Sequence, residues 1–170
     1  MNKEEREHMN ENNPQLEQTI QVLRSFWRIQ RNFGRWGQAS IKNSNLSMPQ
    51  FLILQAMFPA QVISQKSLGE RLLFPKSTLS TSVDGLVTLG FLKRSIPEEN
   101  RREVELELTE AGREQVLLMH NEPNGVYQKM MGALSQLSEE SIHTLLELHQ
   151  QLYELMIDTE TTENGEDARC

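Results

Sequence analysis

The sequence has few of the features that mark secreted, membrane or disulfide-linked proteins. Cys170 is the single cysteine among 170 residues, which excludes an internal disulfide and fits a reducing compartment. No apolar run approaches the length of a membrane span, and the amino terminus has no apolar stretch of the kind found in secretory signals. We therefore expect a cytoplasmic protein that has no membrane partner.

Patterns that carry catalytic chemistry are also missing. The sequence contains no Gly-rich phosphate loop, no nucleophile elbow, and no Cys-x-x-Cys or His-Glu-x-x-His pattern. His143 and His149 do not share a helix face, so we interpret them as surface or packing residues and not as metal ligands. Cys170 lacks the defined environment that a redox sensor needs. The prediction is a protein that is not an enzyme and has no cofactor and no metal.

The charge of the chain is acidic in total but unevenly distributed. The net charge is −7 at pH 7, and it divides into +2 over residues 1–60, +3 over residues 61–102 and −12 over residues 103–170. The local field, and not the total charge, steers a polyanion toward a protein. A basic middle segment can therefore bind nucleic acid while the acidic carboxy-terminal portion faces away from it.

Two helices joined by a turn are predicted over about residues 63–87. Leu68, Leu72 and Leu73 give the first helix a narrow apolar face. The second helix has its own apolar residues at helical spacing: Leu79, Val83, Leu86 and Val87. At about 100° per residue, its short polar residues point the other way: Ser77, Ser80, Thr81, Asp84 and Thr88. Such a face suits a DNA major groove, although most polar helix faces are simply solvated.

A β-wing over about residues 91–109 favours the groove interpretation. Gly90 is expected to end the second helix in a left-handed conformation. Apolar residues then alternate with glutamates over residues 103–108, which predicts a half-buried strand. The turn before this strand contains Arg101 and Arg102, and arginines at such a tip can reach phosphates or enter a minor groove.

Long helices are predicted on both sides of this unit, over about residues 14–42 and 110–157. The first helix has two apolar arcs, which imply two neighbours, its own core and a partner subunit. Proline and glycine at residues 121–125 predict a kink or break in the helical region that follows the wing. Residues 1–13 and 158–170 are polar and predicted to be disordered tails.

Three further helix starts carry capping residues. Ser47 and Gln50 have the spacing of a capping box. Thr109 can cap the helix after the wing, which we expect to hold Val116 and Met130, and Ser138 can cap the last helix.

The order and spacing of these elements resemble the MarR family of transcription regulators over about residues 47–113. The matching residues are Leu68-Gly69, Ser77-Thr78-Leu79-Ser80, Val83-Asp84-Gly85-Leu86, Leu89-Gly90-Phe91-Leu92-Lys93-Arg94, Asn100-x-Arg102 and Leu108-Thr109-x-x-Gly112. The resemblance implies a mainly α fold with a small β-wing, in which one winged helix-turn-helix domain at 14–157 includes N- and C-terminal dimerisation helices. It also implies a homodimer that acts as a ligand- or stress-responsive repressor at a pseudo-palindromic operator.

Two positions depart from the family pattern. The wing signature of the family usually begins with Asp, and here it begins with Asn100. The recognition helix of the family often carries Arg at the position of Thr81. The first change puts in doubt an ion pair that orients the wing arginine, and the second implies weaker phosphate anchoring or a different base preference.

The residues predicted to contact double-stranded DNA come from the two helices and the wing. They are Lys66, Lys76, Ser77, Thr78, Ser80, Thr81, Lys93, Arg94, Arg101 and Arg102. We expect bases to be read by Ser77, Thr78, Ser80 and Thr81, helped by Lys76 at the helix start. Arg101 and Arg102 are expected to bind the backbone or the minor groove. The alternative is a winged-helix module that binds another protein and has lost DNA contact.

A basic stripe on the first long helix, the arginine stripe, is made of Arg24, Arg28, Arg31 and Arg35. By resemblance, an effector site is expected in the crevice bounded by the first helix, the helix at 51–58 and the start of the helix after the wing. Its predicted residues are Trp27, Arg28, Arg31 and Phe33. Aromatic walls with a cation suit a small aromatic or anionic effector. Alternatively, the stripe is solvated or pairs with glutamates of the last helix.

Overall fold

The structure is a computed structural model that describes residues 13–60, 62–97 and 103–166, with the backbone alone over 158–166. Its elements in chain order are α1 (Pro14–Ser40), α2 (Met48–Met57), β1 (Val62–Ser64), α3 (Gln65–Leu72), α4 (Lys76–Thr88), β2 (Leu92–Ser95), β3 (Glu105–Leu108), α5 (Glu110–His120), α6 (Val126–Leu134) and α7 (Glu139–Glu166). The prediction of a mainly α fold with a small β-wing is confirmed.

Two units divide the chain, Met1–Gln128 and Lys129–Cys170. The first unit holds the helix-turn-helix, made of α3 and α4, together with all three strands. The second holds most of α6 and all of α7.

The strands form an antiparallel sheet in the order β1-β3-β2. Strand β3 lies in the centre, with Leu106 opposite Arg94 of β2 and opposite Ile63 of β1. The sequence analysis predicted the wing strands β2 and β3 but missed β1. A strand of three residues is too short to display the alternation by which strands are recognised.

The core of the first unit lies between the sheet and the helices around it. Its fully buried side chains are Ile53, Leu54, Met57, Leu68, Val83, Leu86, Leu106, Val116 and Met119. Complete burial of one such side chain contributes about 1.5–3 kcal/mol. Val83 and Leu86 belong to the apolar stripe predicted on α4, so this stripe fixes which face of α4 is left for solvent.

Side-chain caps define where several helices begin. Ser47 accepts the N–H of Gln50 at 3.4 Å, and the Gln50 side chain accepts the N–H of Ser47 at 2.8 Å, so the predicted capping box is confirmed. Thr109 caps α5 through the N–H of Gly112, and Ser138 accepts the N–H of Ser141 before α7, both as predicted. Each cap contributes about 1 kcal/mol.

Leu73 lies outside the apolar face in which the sequence analysis placed it. Helix α3 ends at Leu72, and Leu73 follows in the left-handed conformation with φ of 52° and 87% of its surface exposed. The helical spacing that predicts a buried side chain stops applying once the backbone leaves the helix. A non-glycine residue pays about 1–2 kcal/mol for this conformation. Gly90, with φ of 75°, adopts the predicted left-handed conformation without that cost.

The carboxy-terminal helices differ from the prediction at two points. The predicted interruption at 121–125 is a complete break between α5 and α6, so Met130 lies in α6 and not in the helix that contains Val116. Helix α7 continues to Glu166, whereas the sequence analysis began a disordered tail at 158. Its apolar spacing ends at Ile157, but backbone hydrogen bonds can extend a helix without apolar residues.

Candidate DNA-binding surface

Helix α4 presents a continuous polar stripe on its exposed side. The stripe, hereafter the α4 polar stripe, is formed by Ser77, Thr81, Asp84 and Thr88. Intervals of four, three and four residues place these side chains on one face. Thr78 and Ser80, two of the predicted base-reading residues, lie half-buried beside it. Because the stripe contains only short side chains, its backbone can approach a base pair closely.

The amino-terminal end of α4 favours an anion. Pro75 is the N-cap residue, and within the described residues no side chain caps this end. Unpaired N–H groups at a helix start carry partial positive charge and attract phosphate. Lys76, the first residue of α4, is exposed and adds a full positive charge. A phosphate group can therefore be held at this end of the helix.

Strand β2 is tied to the α4 polar stripe by an ion pair. The Arg94 guanidinium donates to a carboxylate oxygen of Asp84 at 2.8 Å. Lys93, the neighbouring cation, lies 3.7 Å from Glu107 on β3. Both residues were predicted to contact DNA, and both already have a carboxylate partner. Arg94 therefore neutralises the one acidic residue of the polar stripe and holds the wing against α4.

The tip of the wing lies outside the described residues. Asn100, Arg101 and Arg102, which include the two predicted wing cations, therefore remain predictions. The strands on either side are described, and their antiparallel pairing runs from Leu92 with Leu108 to Ser95 with Glu105. Residues 96–104 thus connect the ends of two paired strands, as a wing loop does.

The base of the wing is fixed by a contact that the sequence analysis did not predict. The Thr109 hydroxyl donates to the carbonyl of Gly90 at 2.7 Å, and the Thr109 N–H donates to the carbonyl of Phe91 at 3.1 Å. Gly112 packs so closely against the Phe91 carbonyl that a Cβ at this position would overlap it. The motif Leu108-Thr109-x-x-Gly112 contains both residues of this contact, Thr109 and Gly112.

A groove opens beside the amino-terminal end of α4. It has a volume of about 1040 Å³. Its lining includes residues of α3, of the turn and of α4, among them Lys66, Leu73, Lys76 and Ser80. Three of these four were predicted DNA contacts, and Lys66 also lies 3.8 Å from Glu70. The groove therefore joins α3 to the recognition helix on one surface.

The arginine stripe lines a shallow groove on α1. The groove has a volume of about 630 Å³ and is lined by Gln21, Arg24, Trp27, Arg28 and Arg31. Phe33 instead lies edge-on to Trp36, with ring centroids 6.2 Å apart. All five lining residues belong to α1. The expected crevice also requires residues of α2 and α5, and these helices do not line this groove. Within the described residues, Arg28 and Arg31 form no ion pair.

A polar cluster joins α2, α5 and α6 in the first unit. The side-chain oxygen of Gln55 lies 2.8 Å from Nε2 of His120 and accepts the Tyr127 hydroxyl at 2.5 Å. The ring centroids of His120 and Tyr127 are 3.8 Å apart, and Phe58 lies edge-on to His120. Burial lowers the pKa of His120 and raises the pKa of Tyr127. The sequence gives no signal for this cluster, because its members come from three helices.

Helix α4 has a polar face of short side chains, and the paired strands that follow it lie against it. This arrangement defines the winged helix-turn-helix class of DNA-binding proteins. Comparison with known proteins then gives the family. A model of the MarR family matches residues 46–104 of the chain. The organic hydroperoxide resistance transcriptional regulator of Bacillus subtilis (strain 168) is 30% identical over 110 residues, which are 62% of this chain and 74% of that protein. The chain belongs to the MarR family of transcriptional regulators, whose members matched here are not enzymes.

Other comparisons agree with this assignment. The HTH-type transcriptional regulator TtmR of Methylorubrum extorquens (strain PA1) is 30% identical over 81 residues, which are 48% of this chain but only 42% of TtmR. The structure of a MarR mutant from E. coli, complexed with operator DNA, superimposes with a TM-score of 0.64 at 19% identity and covers 79% of this chain and 95% of that one. This structural likeness confirms the fold. No helix in the described parts is long and apolar enough to cross a membrane.

Proposed function

We propose that this protein binds double-stranded DNA by placing α4 in the major groove and represses transcription from the bound site. The observation that carries the proposal is the α4 polar stripe, which combines exposed short donors and acceptors with a buried apolar side that includes Val83 and Leu86. Base edges in the major groove present a distinct pattern for each base pair. Ser77 and Thr81 are the stripe residues best suited to read that pattern, and such a regulator acts in the cytoplasm.

The wing completes the proposed DNA contact. Arg94 is engaged by Asp84 at 2.8 Å, and Arg101 and Arg102 at the wing tip are the cations proposed to bind phosphates or the minor groove. Replacing Arg102 with Ala is expected to weaken binding to all sequences and to lower the salt slope by about one unit. The control is Lys129→Ala, which removes an exposed cation from α6, outside the helix-turn-helix. An unchanged salt slope in the Arg102 variant would show that the wing assignment is wrong.

We also propose that the active form is a homodimer. Helix α1 and helix α7 each expose many large apolar side chains. On α1 these are Ile20, Val22, Leu23, Trp27, Ile29 and Phe33. On α7 they are Leu145, Leu146, Leu148, Leu152, Tyr153, Leu155, Met156 and Ile157. Exposed apolar surface on this scale marks an interface, and a second copy of the chain is the partner proposed here.

A twofold dimer requires a twofold-symmetric site, with half-site centres about 10 base pairs apart or a multiple of that distance. Sedimentation at micromolar concentration is expected to give the dimer mass. A monomer that still binds DNA tightly would contradict the dimer proposal and leave the DNA-binding proposal in place.

An effector that lowers DNA affinity is proposed to bind at the arginine stripe. The groove on α1 combines Trp27 with Arg28 and Arg31, and this chemistry suits an aromatic carboxylate. Such a ligand lowers DNA affinity only to the extent that it binds one spacing of the two recognition helices more tightly than another. The test titrates aromatic carboxylates while tryptophan fluorescence and DNA release are followed together. Equal release from the parent and from the Arg28→Ala and Arg31→Ala variants would exclude the stripe.

A further inference from the structure

Leu73 combines two unfavourable features at one position. It exposes 87% of a large apolar side chain, and it holds the left-handed backbone conformation that glycine adopts without strain. A glycine or an asparagine at this position would avoid both costs. A strained backbone that exposes a large apolar side chain is a reason to seek a function for that side chain.

The surroundings of Leu73 indicate what that requirement is. Leu73 lies in the turn between α3 and α4 and lines the same groove as Lys66, Lys76 and Ser80. The two lysines are exposed and suited to phosphates, and the amino-terminal end of a recognition helix is the end that meets base edges. A duplex held by these lysines would bring its major groove to the Leu73 side chain.

We propose that Leu73 contacts the C5-methyl group of a thymine in each half-site and so determines specificity at that position. The proposal rests on the DNA binding proposed above. Leucine has no hydrogen-bond donor or acceptor, and the thymine methyl is the apolar group that base pairs present in the major groove. Leu73 therefore adds a shape and methyl preference that the hydroxyl groups of α4 do not supply.

Deoxyuridine tests the contact because it differs from thymidine by the methyl group alone. Duplexes selected by the wild-type protein from a random pool are resynthesised with deoxyuridine at each thymine in turn. The wild-type protein is expected to lose about fourfold in affinity per half-site at one thymine position, which corresponds to one buried methyl group. The Leu73→Gly variant should bind the two duplexes equally, and Leu73→Met, which keeps an apolar side chain, should still discriminate.

Stability should change in the opposite direction to affinity. Leu73→Gly removes the backbone strain, so its melting temperature is expected to rise by about 2–8 °C while its affinity for the selected duplex falls. The matched control is Leu89→Ala at the other end of α4, where Leu89 is 43% exposed. This control should keep the full preference for thymine over deoxyuridine.

The outcomes separate this proposal from the proposed function. A wild-type protein that binds no DNA even at low salt would overturn the proposed function. A wild-type protein that binds the selected duplex without sensitivity to deoxyuridine would overturn only the Leu73 contact. The contact is also overturned if the Leu73→Gly variant still discriminates between the thymidine and deoxyuridine duplexes. It is overturned as well if Leu73→Gly weakens binding while the wild-type protein binds both duplexes equally. In that case the Leu73 side chain would contact the sugar and not the methyl group.

Discussion

The ion pair between Arg94 and Asp84 gives a sharp test of how the wing and the recognition helix cooperate. Its side chains are 35% and 57% exposed, so solvent screens the pair and its loss should cost about 0.5 kcal/mol of folding stability. The effect on DNA binding should be larger, because Arg94→Ala leaves an unpaired carboxylate in the α4 polar stripe, facing a polyanion. We expect affinity to fall about tenfold, since like charges brought together at an interface repel strongly.

A double variant separates the two roles open to Arg94. Asp84→Asn combined with Arg94→Ala removes both charges, so the pair contributes the same net charge as in the parent. If Arg94 acts by neutralising Asp84, the double variant should recover most of the lost affinity and keep the parental salt slope. The assay is fluorescence anisotropy of a labelled duplex over a range of salt concentrations, with thermal melts to record stability.

The opposite result would refute this reasoning. A double variant that binds as weakly as Arg94→Ala, with a salt slope lower by about one unit, would show that Arg94 contacts a phosphate itself. The carboxylate would then be incidental to DNA binding.

The remaining predictions concern stability. Gly112→Ala forces a Cβ against the Phe91 carbonyl and should cost about 1–3 kcal/mol in urea unfolding. By contrast, Gly132→Ala in α6, where an added Cβ would meet no atom of the described residues within 4 Å, should gain about 0.5–1 kcal/mol. Ser47→Ala removes one half of the capping box and should cost about 1 kcal/mol, measured in the same way. Burial lowers the pKa of His120 from its ordinary 6.5, so below about pH 6.5 the unfolded chain binds a proton that the folded chain resists. The free energy of unfolding should therefore fall as the pH falls through this range. A His120→Gln variant that kept the full pH dependence would contradict this origin.

Periodicity explains why much of the fold was predictable. The apolar stripe of α4 and the alternation in β3 are long enough to define the buried face of each element, and Gly90 marks the end of α4 by its backbone freedom. The caps at Ser47 and Thr109 were also readable, because each is a local pattern of a few residues.

The features that were missed are those that no local pattern encodes. Strand β1 is too short for alternation, and its partner β3 lies far away in sequence. Leu73 fits the apolar spacing of α3 yet lies just beyond the helix end. The pairing of Arg94 with Asp84 and the cluster around His120 depend on tertiary packing, which brings residues of different elements together. The base contacts at α4 and the wing contacts stay predictions.

Selection of bound duplexes from a random DNA pool tests the central claim most directly, because it reports binding, specificity and symmetry together. The protein is expected to enrich an inverted repeat whose half-site centres lie about 10 base pairs apart or a multiple of that distance. A Thr81 variant should shift the enriched bases within each half-site. Failure to enrich any sequence, or enrichment of a single site without twofold symmetry, would contradict the account of a dimeric regulator that reads DNA through α4.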